Sequence, residues 1–190
     1  GPGERAGVAK GKDGCPCRTQ TRTLIPCGMS RWPLPEPMKL ALEEASAGES
    51  AGEVPIGAVI VKDGQVIARA HNQPRALHDP TAHAEVLAIR EAARVLGSER
   101  LSDCELWVTL EPCPMCAGAI SHARIGKLYY AAADPKGGAV EHGARVFEHE
   151  QCLHRPEVYS GMGEAESARL LRQFFAARRG QTGHTGHSPE

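Results

Sequence analysis

The sequence predicts an α/β fold in which helices cover the faces of a mixed β-sheet, and three patterns support this fold class. Apolar residues recur at spacings of three and four in four separate segments, as they do on the buried face of a helix. Short runs rich in valine, isoleucine and leucine lie between these segments, and each has the length of a buried strand. The alternation of the two kinds of segment is typical of a sheet layered between helices.

The first half of the chain is predicted to form a helix, a hairpin and a second helix. Glycines end the first helix, and an aspartate-glycine pair is a strong signal for a tight hairpin turn. The predicted bounds are a helix from Pro35 to the segment 48–52, a strand over 54–61, a turn at 62–64, a strand over 66–70 and a helix over 82–96.

The second half continues the alternation and closes with a long helix. That helix has Leu170, Leu171, Phe174 and Phe175 as its apolar face. The predicted bounds are a strand over 105–110, a helix over 115–122, a strand over 127–132, a glycine-rich loop over 135–139, a short strand over 157–159 and a helix over 164–179.

The domain organisation is predicted to be a single folded domain between two irregular ends. Residues 1–28 are rich in glycine and basic residues and lack hydrophobic periodicity, so they are predicted to be a disordered extension, with Met29 a candidate natural start. Residues 29–180 are predicted to form the domain, and residues 181–190 are predicted to be a flexible polar tail. The full length of 190 residues suffices for one domain with a sizeable core.

Composition gives no sign of a membrane-spanning protein or of a strongly basic nucleic-acid-binding protein. The net charge of −1 gives no sign of a nucleic-acid partner, so any RNA contact must depend on local basic patches. No run of residues approaches the length of a membrane-spanning helix. The seven cysteines are an odd number in a chain without an apolar signal segment, which predicts a reducing, cytoplasmic location.

One histidine and two cysteines have the spacing of a metal site. Cys113 and Cys116 are three residues apart, so both thiolates can project from the first turn of one helix. His83 supplies a nitrogen donor at the start of the preceding helix. A zinc ion held by three protein ligands keeps its fourth position for water, whereas a structural zinc usually has four protein ligands. The ligand set therefore predicts a catalytic zinc.

Glu85 is the candidate acid–base group of this site. It lies two residues after His83, at the start of the same predicted helix. A carboxylate beside a metal-activated water can take its proton and deliver it to a reacting nitrogen. A Cys-x-x-Cys pair alone would equally suit a redox pair or half of a structural zinc site. The combination with His-x-Glu favours catalysis and is a signature of zinc deaminases.

The quoted motifs resemble those of the cytidine/deoxycytidylate deaminase superfamily, and more closely the bacterial tRNA-specific adenosine deaminases. The similarity extends from Met38 to Arg179. Within it the His-Asp-Pro-Thr-Ala-His-Ala-Glu run and the Cys-Ala-Gly-Ala sequence narrow the resemblance to the tRNA branch. It implies a three-layer α/β/α cytidine-deaminase-like fold with a five-stranded mixed sheet flanked by helices. It also implies one zinc ion per subunit, no organic cofactor, and a homodimer with active sites near the subunit interface.

The resemblance further implies hydrolytic deamination of adenosine to inosine at the wobble position of a tRNA anticodon. His83, Cys113 and Cys116 would bind the zinc, and Glu85 would transfer the proton. Asn72 would hydrogen-bond the flipped-out nucleoside, and the backbone around Ala84 would help to hold the base. The positions implied to lie at the anticodon loop are Asp134, Lys136, Phe174, Arg178 and Arg179.

Several of these positions also have structural explanations. Asn72 could be a turn former, Asp134 could cap its loop, and Phe174 could belong to the core. Basic residues near the end of the last helix also stabilise its dipole. The chain departs from the family pattern at the N-terminal extension, at the tail, and at Gly137, where many relatives have threonine.

Two other functions fit the motifs less completely. A deaminase of a free base or nucleotide, such as guanine, cytosine or deoxycytidylate, would use the same zinc and the same glutamate. A structural zinc module that acts as a binding protein would have no need of Glu85. The first alternative differs from the leading hypothesis in its product, and the second predicts that Glu85→Gln leaves every property unchanged.

Overall fold

The computed structural model of the chain describes residues 33–181. The predicted extension 1–28 lies outside the described residues, as does all of the predicted tail except Gln181. The elements in order are α1 (Glu36–Ser50), β1 (Gly57–Lys62), β2 (Gln65–His71), α2 (Pro74–Leu77), α3 (Ala84–Leu96), β3 (Cys104–Leu110), α4 (Pro114–Ala123), β4 (Lys127–Ala132), β5 (Glu157–Ser160) and α5 (Glu164–Gln181).

The five strands form one mixed sheet in the order β2-β1-β3-β4-β5. The first three strands of that order are antiparallel neighbours, whereas β3, β4 and β5 run parallel to one another. Asp63 and Gly64 both have positive φ at the β1–β2 turn, the conformation that matches the twist of a tight hairpin. Because β3 and β4 are parallel, the residues that follow them, including Cys113 and Asp134, lie at the same edge of the sheet.

Helices cover both faces of the sheet, and alternate residues of each strand enter the two cores. Ala58 and Ile60 pack into a core with residues of α3 and α4. Val59 and Val61, their neighbours on β1, pack instead against residues of α1 and Leu170 of α5. This alternation follows from the period of two in a strand. The predicted three-layer α/β/α fold with five strands is therefore confirmed.

The strand predicted over 54–61 begins later than expected, at Gly57. Pro55 has no N–H to donate, and the N–H of Ile56 bonds to the carbonyl of Val54 in a local turn. The helix predicted over 82–96 likewise begins at Ala84. His83 has an extended backbone, with φ −75° and ψ 152°, and precedes the helix as its N-cap residue.

The last helix extends to Gln181, so it passes the predicted domain boundary at residue 180. Its apolar face is only partly covered, since Phe174 is buried and Phe175 is 45% exposed. Sequence patterns missed the short helix α2 and the 3-10 turn Val146–Glu148, because neither is long enough to show periodicity. No helix within residues 33–181 is both long and apolar enough to span a membrane.

Candidate active site

His83, Cys113 and Cys116 meet where two helices begin. His83 is the N-cap residue of α3, Cys113 is the N-cap residue of α4, and Cys116 lies in the first turn of α4. The Nδ1 atom of His83 is 3.6 Å from Sγ of Cys113 and 3.5 Å from Sγ of Cys116. The three donor atoms all lie within 4.8 Å of one another, so this group could hold a metal ion.

The start of α4 is fixed by its sequence. Pro114 occupies the first turn, where its missing N–H costs no hydrogen bond. The N–H of Ala117 donates to the carbonyl of Cys113 at 2.8 Å and closes that turn. Cys113 and Cys116 are thereby held three residues apart on one helical turn. Their spacing in the sequence becomes a fixed geometry for two sulfur donors.

The pKa values of the two thiols are shifted in opposite directions. Hydrogen bonding from the Cys116 thiol, with a further contribution from His83, lowers the pKa of Cys113 to about 4. The same hydrogen bond, together with burial, raises the pKa of Cys116 far above its ordinary value. The hydrogen bond to Cys113 also raises the pKa of His83. A thiolate is therefore already present where a cation would bind.

Glu85 lies in the first turn of α3, beside this group. Glu85 is only 4% exposed. Burial, with a smaller contribution from the negative charge of Cys113, raises the pKa of Glu85 to about 7. A carboxyl group with a pKa near neutrality can both accept and release a proton at physiological pH. The fold therefore gives this side chain the proton affinity that acid–base catalysis requires.

Asn72 is buried at the end of β2 and is tied to the start of α3. Its Oδ1 atom accepts a hydrogen bond of 2.8 Å from the N–H of Ala84. That N–H is one of the donors that a helix leaves without a partner in its first turn. The bond fixes the Asn72 side chain beside His83 and provides the N–H of Ala84 with an acceptor. The predicted contacts of Asn72 and Ala84 with a base remain predictions.

Asp134 and Lys136 lie on the loop that follows β4. Oδ1 of Asp134 accepts hydrogen bonds from the N–H groups of Lys136 and Gly137, at 3.1 and 3.0 Å. Asp134 therefore caps its loop, as the structural alternative proposed. Lys136 is exposed, so its ammonium group faces solvent. A Cβ atom at Gly137 would lie 2.9 Å from Oδ2 of Asp134, so a side chain here would require the aspartate to move.

The three C-terminal positions lie on α5, and two of them contact each other. The guanidinium of Arg178 is 4.6 Å from the ring centre of Phe174, which is itself 7% exposed. Arg178 also donates from Nη2 to the carbonyl of Gly52 at 3.1 Å. Arg179 is exposed on the last turns of the helix. The Phe174 ring therefore packs against the guanidinium of Arg178, and Phe174 belongs largely to the core.

Two buried carboxylates near the site were not assigned a role from the sequence. Glu53 accepts a hydrogen bond of 2.8 Å from the N–H of Ala76, near the start of α2. Glu111 follows β3 directly and accepts from backbone N–H groups of the loop after β4. The signal in the sequence that could have identified them is a glutamate next to an apolar strand, because a glutamate that is buried there requires a hydrogen-bond partner.

The chain has a layered α/β fold and a His-Cys-Cys group that could hold a metal ion, and comparison with known proteins identifies its class as a deaminase. Residues 35–179 match the family model of MafB19-like deaminases. The chain is also 60% identical over 142 residues to the tRNA-specific adenosine deaminase of Agrobacterium fabrum, over 75% of this chain and 93% of that protein. The chain therefore belongs to the tRNA-specific adenosine deaminase family, which confirms the resemblance in the sequence.

Two solved structures resemble the chain, and one of them comes from a study of tRNA deaminases. A structure from a study of A-to-I editing by tRNA:A34 deaminases at the wobble position of transfer RNA is 59% identical, with a TM-score of 0.70, and the match covers 71% of this chain and 98% of that chain. A guanine deaminase from Nitrosomonas europaea is 26% identical with a TM-score of 0.61, and the match covers 74% of this chain and 83% of that one.

Proposed function

We propose that this chain catalyses the hydrolytic deamination of adenosine to inosine at the wobble position of a tRNA anticodon. The observation that carries the proposal is the convergence of His83, Cys113 and Cys116 beside the buried carboxyl group of Glu85. The family of the chain supports the tRNA substrate. The overall reaction adds water at C6 of the base and releases ammonia.

We propose zinc as the metal because the donor set and the distances fit it. Zn–N distances of about 2.0–2.1 Å and Zn–S distances of about 2.3 Å at a tetrahedral angle separate nitrogen from sulfur by about 3.6 Å. The distances from His83 Nδ1 to the two sulfur atoms are 3.6 and 3.5 Å. When bound, zinc would lower the pKa of a coordinated water to about 7 and so supply hydroxide at neutral pH.

The chain's own groups then move the proton and hold the substrate. Glu85 takes a proton from the attacking water and delivers it to the leaving nitrogen, for which a pKa of about 7 is well matched. Asn72 is held with Oδ1 toward the Ala84 N–H, so its amide N–H₂ is the group proposed to hydrogen-bond the nucleoside. Ala84 contributes by orienting Asn72.

We propose that the anticodon loop contacts the sheet edge and the end of α5. Lys136 supplies an exposed positive charge there, and Asp134 fixes the loop that carries it. Arg178 and Arg179 supply two further charges for phosphate groups. Phe174 holds Arg178 in place by packing under its guanidinium. These contacts make the local basic patch that the near-neutral net charge conceals.

We infer a homodimer from the surface that α4 and the segment 144–153 form together. A cavity of about 350 Å³ lies between α4 and the segment 144–153, and Gly118, Ser121 and Leu153 are among its lining residues. Leu153 is 84% exposed, which is unfavourable for a leucine in water. Gly118 is two residues from Cys116 on the same helix. A second copy on this surface would lie close to the metal group.

A cytoplasmic location is proposed from the thiols and the substrate. Cys104, Cys113, Cys116 and Cys152 are free thiols in the described part of the chain. Such thiols persist in a reducing compartment. The cytoplasm is also where the proposed tRNA substrate is found, so the two observations agree.

The experiment that tests this function is incubation with total tRNA and with an anticodon stem-loop, followed by inosine mapping. Inosine at the first anticodon position is the expected result. The guanine deaminase of similar fold favours one second candidate, deamination of a free base. Ammonia release from guanine, cytosine or deoxycytidylate, without inosine in RNA, would favour that candidate and contradict the proposal.

A further inference from the structure

The side chain of Glu111 is fully buried and is surrounded by donors from the loop after β4. One of these donors is the imidazole of His142. Because a carboxylate only accepts, Nδ1 of His142 must donate to it. The hydrogen bonds to Oε1 come from the N–H groups of Val140, Glu141 and His142, at 3.2, 2.9 and 3.1 Å, and those to Oε2 come from the Asp134 N–H at 2.9 Å and the His142 Nδ1 at 2.8 Å.

The loop is shaped to fit this carboxylate. A Cβ atom on Gly138 would lie 2.5 Å from Cδ of Glu111 and 2.6 Å from the carbonyl oxygen of Asp134, so only glycine fits there. The N–H of Ala139 donates to the carbonyl of Pro112 at 2.8 Å, which brings the backbone of the loop against the strand end. The loop and the segment 111–112 are therefore in close contact through both backbone and side chain.

The carboxylate and the loop depend on each other energetically. Burial disfavours the charge of Glu111, and the four backbone N–H groups and the imidazole of His142 compensate by donating to its carboxylate. A buried carboxylate without these donors would be strongly destabilised. Without the carboxylate, in turn, four backbone N–H groups would lose their acceptor.

Glu111 thus connects two parts of the proposed active site. It stands two residues before Cys113 in the sequence, and its donors begin at Asp134, on the loop that carries Lys136. We propose that Glu111 is a positioning residue that holds the loop 134–142 against the metal-binding strand end and so sets the RNA contact of Lys136. The RNA part of this inference rests on the proposed function.

The variant Glu111→Gln tests it because an amide has one acceptor where the carboxylate has two. Whichever way the amide is turned, its N–H₂ group faces N–H donors of the loop. In the zinc-loaded protein we expect faster amide hydrogen exchange in segment 134–142. We also expect KM for an anticodon stem-loop to rise about ten-fold or more, the scale of one charge-assisted hydrogen bond, with kcat changed by less than about three-fold.

A second, milder variant keeps the test valid if Glu111→Gln does not fold. His142→Ala removes one of the five hydrogen bonds and leaves the carboxylate and the backbone donors in place. We expect the same two effects at a smaller size. Glu148→Gln is the charge-matched control, since Glu148 is exposed at the 3-10 turn beyond the loop. Ile60→Val, in the core under α3, is the control for a general loss of stability.

The outcomes separate this inference from the proposed function. Unchanged exchange in segment 134–142 would overturn the positioning role, and faster exchange with unchanged KM would overturn its link to RNA. Loss of zinc from Glu111→Gln would also contradict it, because the residue would then support the metal site instead. If the unaltered protein fails to form inosine in any RNA, the proposed function fails, while hydrogen exchange still tests the positioning of the loop.

Discussion

Replacement of Glu85 by glutamine is the most direct test of the proposed chemistry. Glutamine has nearly the same shape as glutamate but cannot take up a proton from water, so the proton transfer is lost while the packing is kept. Removal of a general acid–base group typically costs about 10² to 10⁴ in rate. Glu85 is not one of the three metal donors, so the variant should retain one zinc ion per chain.

The same substitution has a predictable effect on the stability of the metal-free protein. The pKa of Glu85 rises from 4.5 to about 7 on folding, so the folded state holds its proton more tightly than the unfolded state does. The contribution of this group to stability therefore falls as pH rises through the window from about 4.5 to about 7. The total change corresponds to about 3 kcal/mol. Glutamine does not titrate, so the variant should lack this loss.

Urea unfolding of the metal-free proteins at pH 5 and pH 8 measures the effect. Between these values the unaltered protein should lose more stability than Glu85→Gln, and the other titrating groups largely cancel because both proteins contain them. Zinc content and inosine formation are measured on the metal-loaded proteins. Two results would refute the reasoning. One is turnover within about ten-fold of the unaltered enzyme, and the other is a stability difference that does not depend on pH.

Three further predictions concern the metal, the dimer and the packing of α1. Cys113→Ala should lose zinc and stability together, as metal analysis and thermal unfolding would show, whereas Cys152→Ala should keep its zinc. Leu153→Asp should shift the protein from dimer to monomer in sedimentation experiments without loss of fold, because the side chain is 84% exposed; a stable dimer would contradict the proposed interface. Gly57→Ala should destabilise the fold by about 1–3 kcal/mol or more in urea, because its Cβ would lie 1.9 Å from a carbonyl oxygen of α1. Gly180→Ala is the control with open space, and an equal effect there would argue against a steric cause.

The metal group could be predicted from the sequence because its geometry is local. Cys113 and Cys116 are separated by one helical turn, and Pro114 marks where that helix begins. His83 and Glu85 are similarly adjacent to the start of α3. Only the meeting of the two helix starts requires tertiary structure. The alternation of strands and helices predicts a layered sheet, and such a sheet can bring the two helix starts together.

The roles of single polar residues could not be predicted in the same way, because they depend on partners far away in the chain. Asn72 is paired with Ala84 across 12 residues. Glu111 takes its donors from a loop 23 to 31 residues further on. Arg178 reaches the carbonyl of Gly52 across 126 residues. No local pattern contains such pairings, so no role could be predicted for Glu111, and Phe174 could be either a core residue or part of a binding surface.

The sheet explains why the metal group and the RNA loop lie together. The strands β3 and β4 are parallel, so the residues after both strands emerge at one edge, with the cysteines after β3 and the loop 134–142 after β4. Strand β1 is antiparallel to both β2 and β3, so β2 runs in the same direction as β3, and its end brings Asn72 to the same edge. Parallel pairing alone would leave two separate loops at that edge. Glu111 joins them, because its carboxylate is attached to one and is surrounded by the backbone of the other.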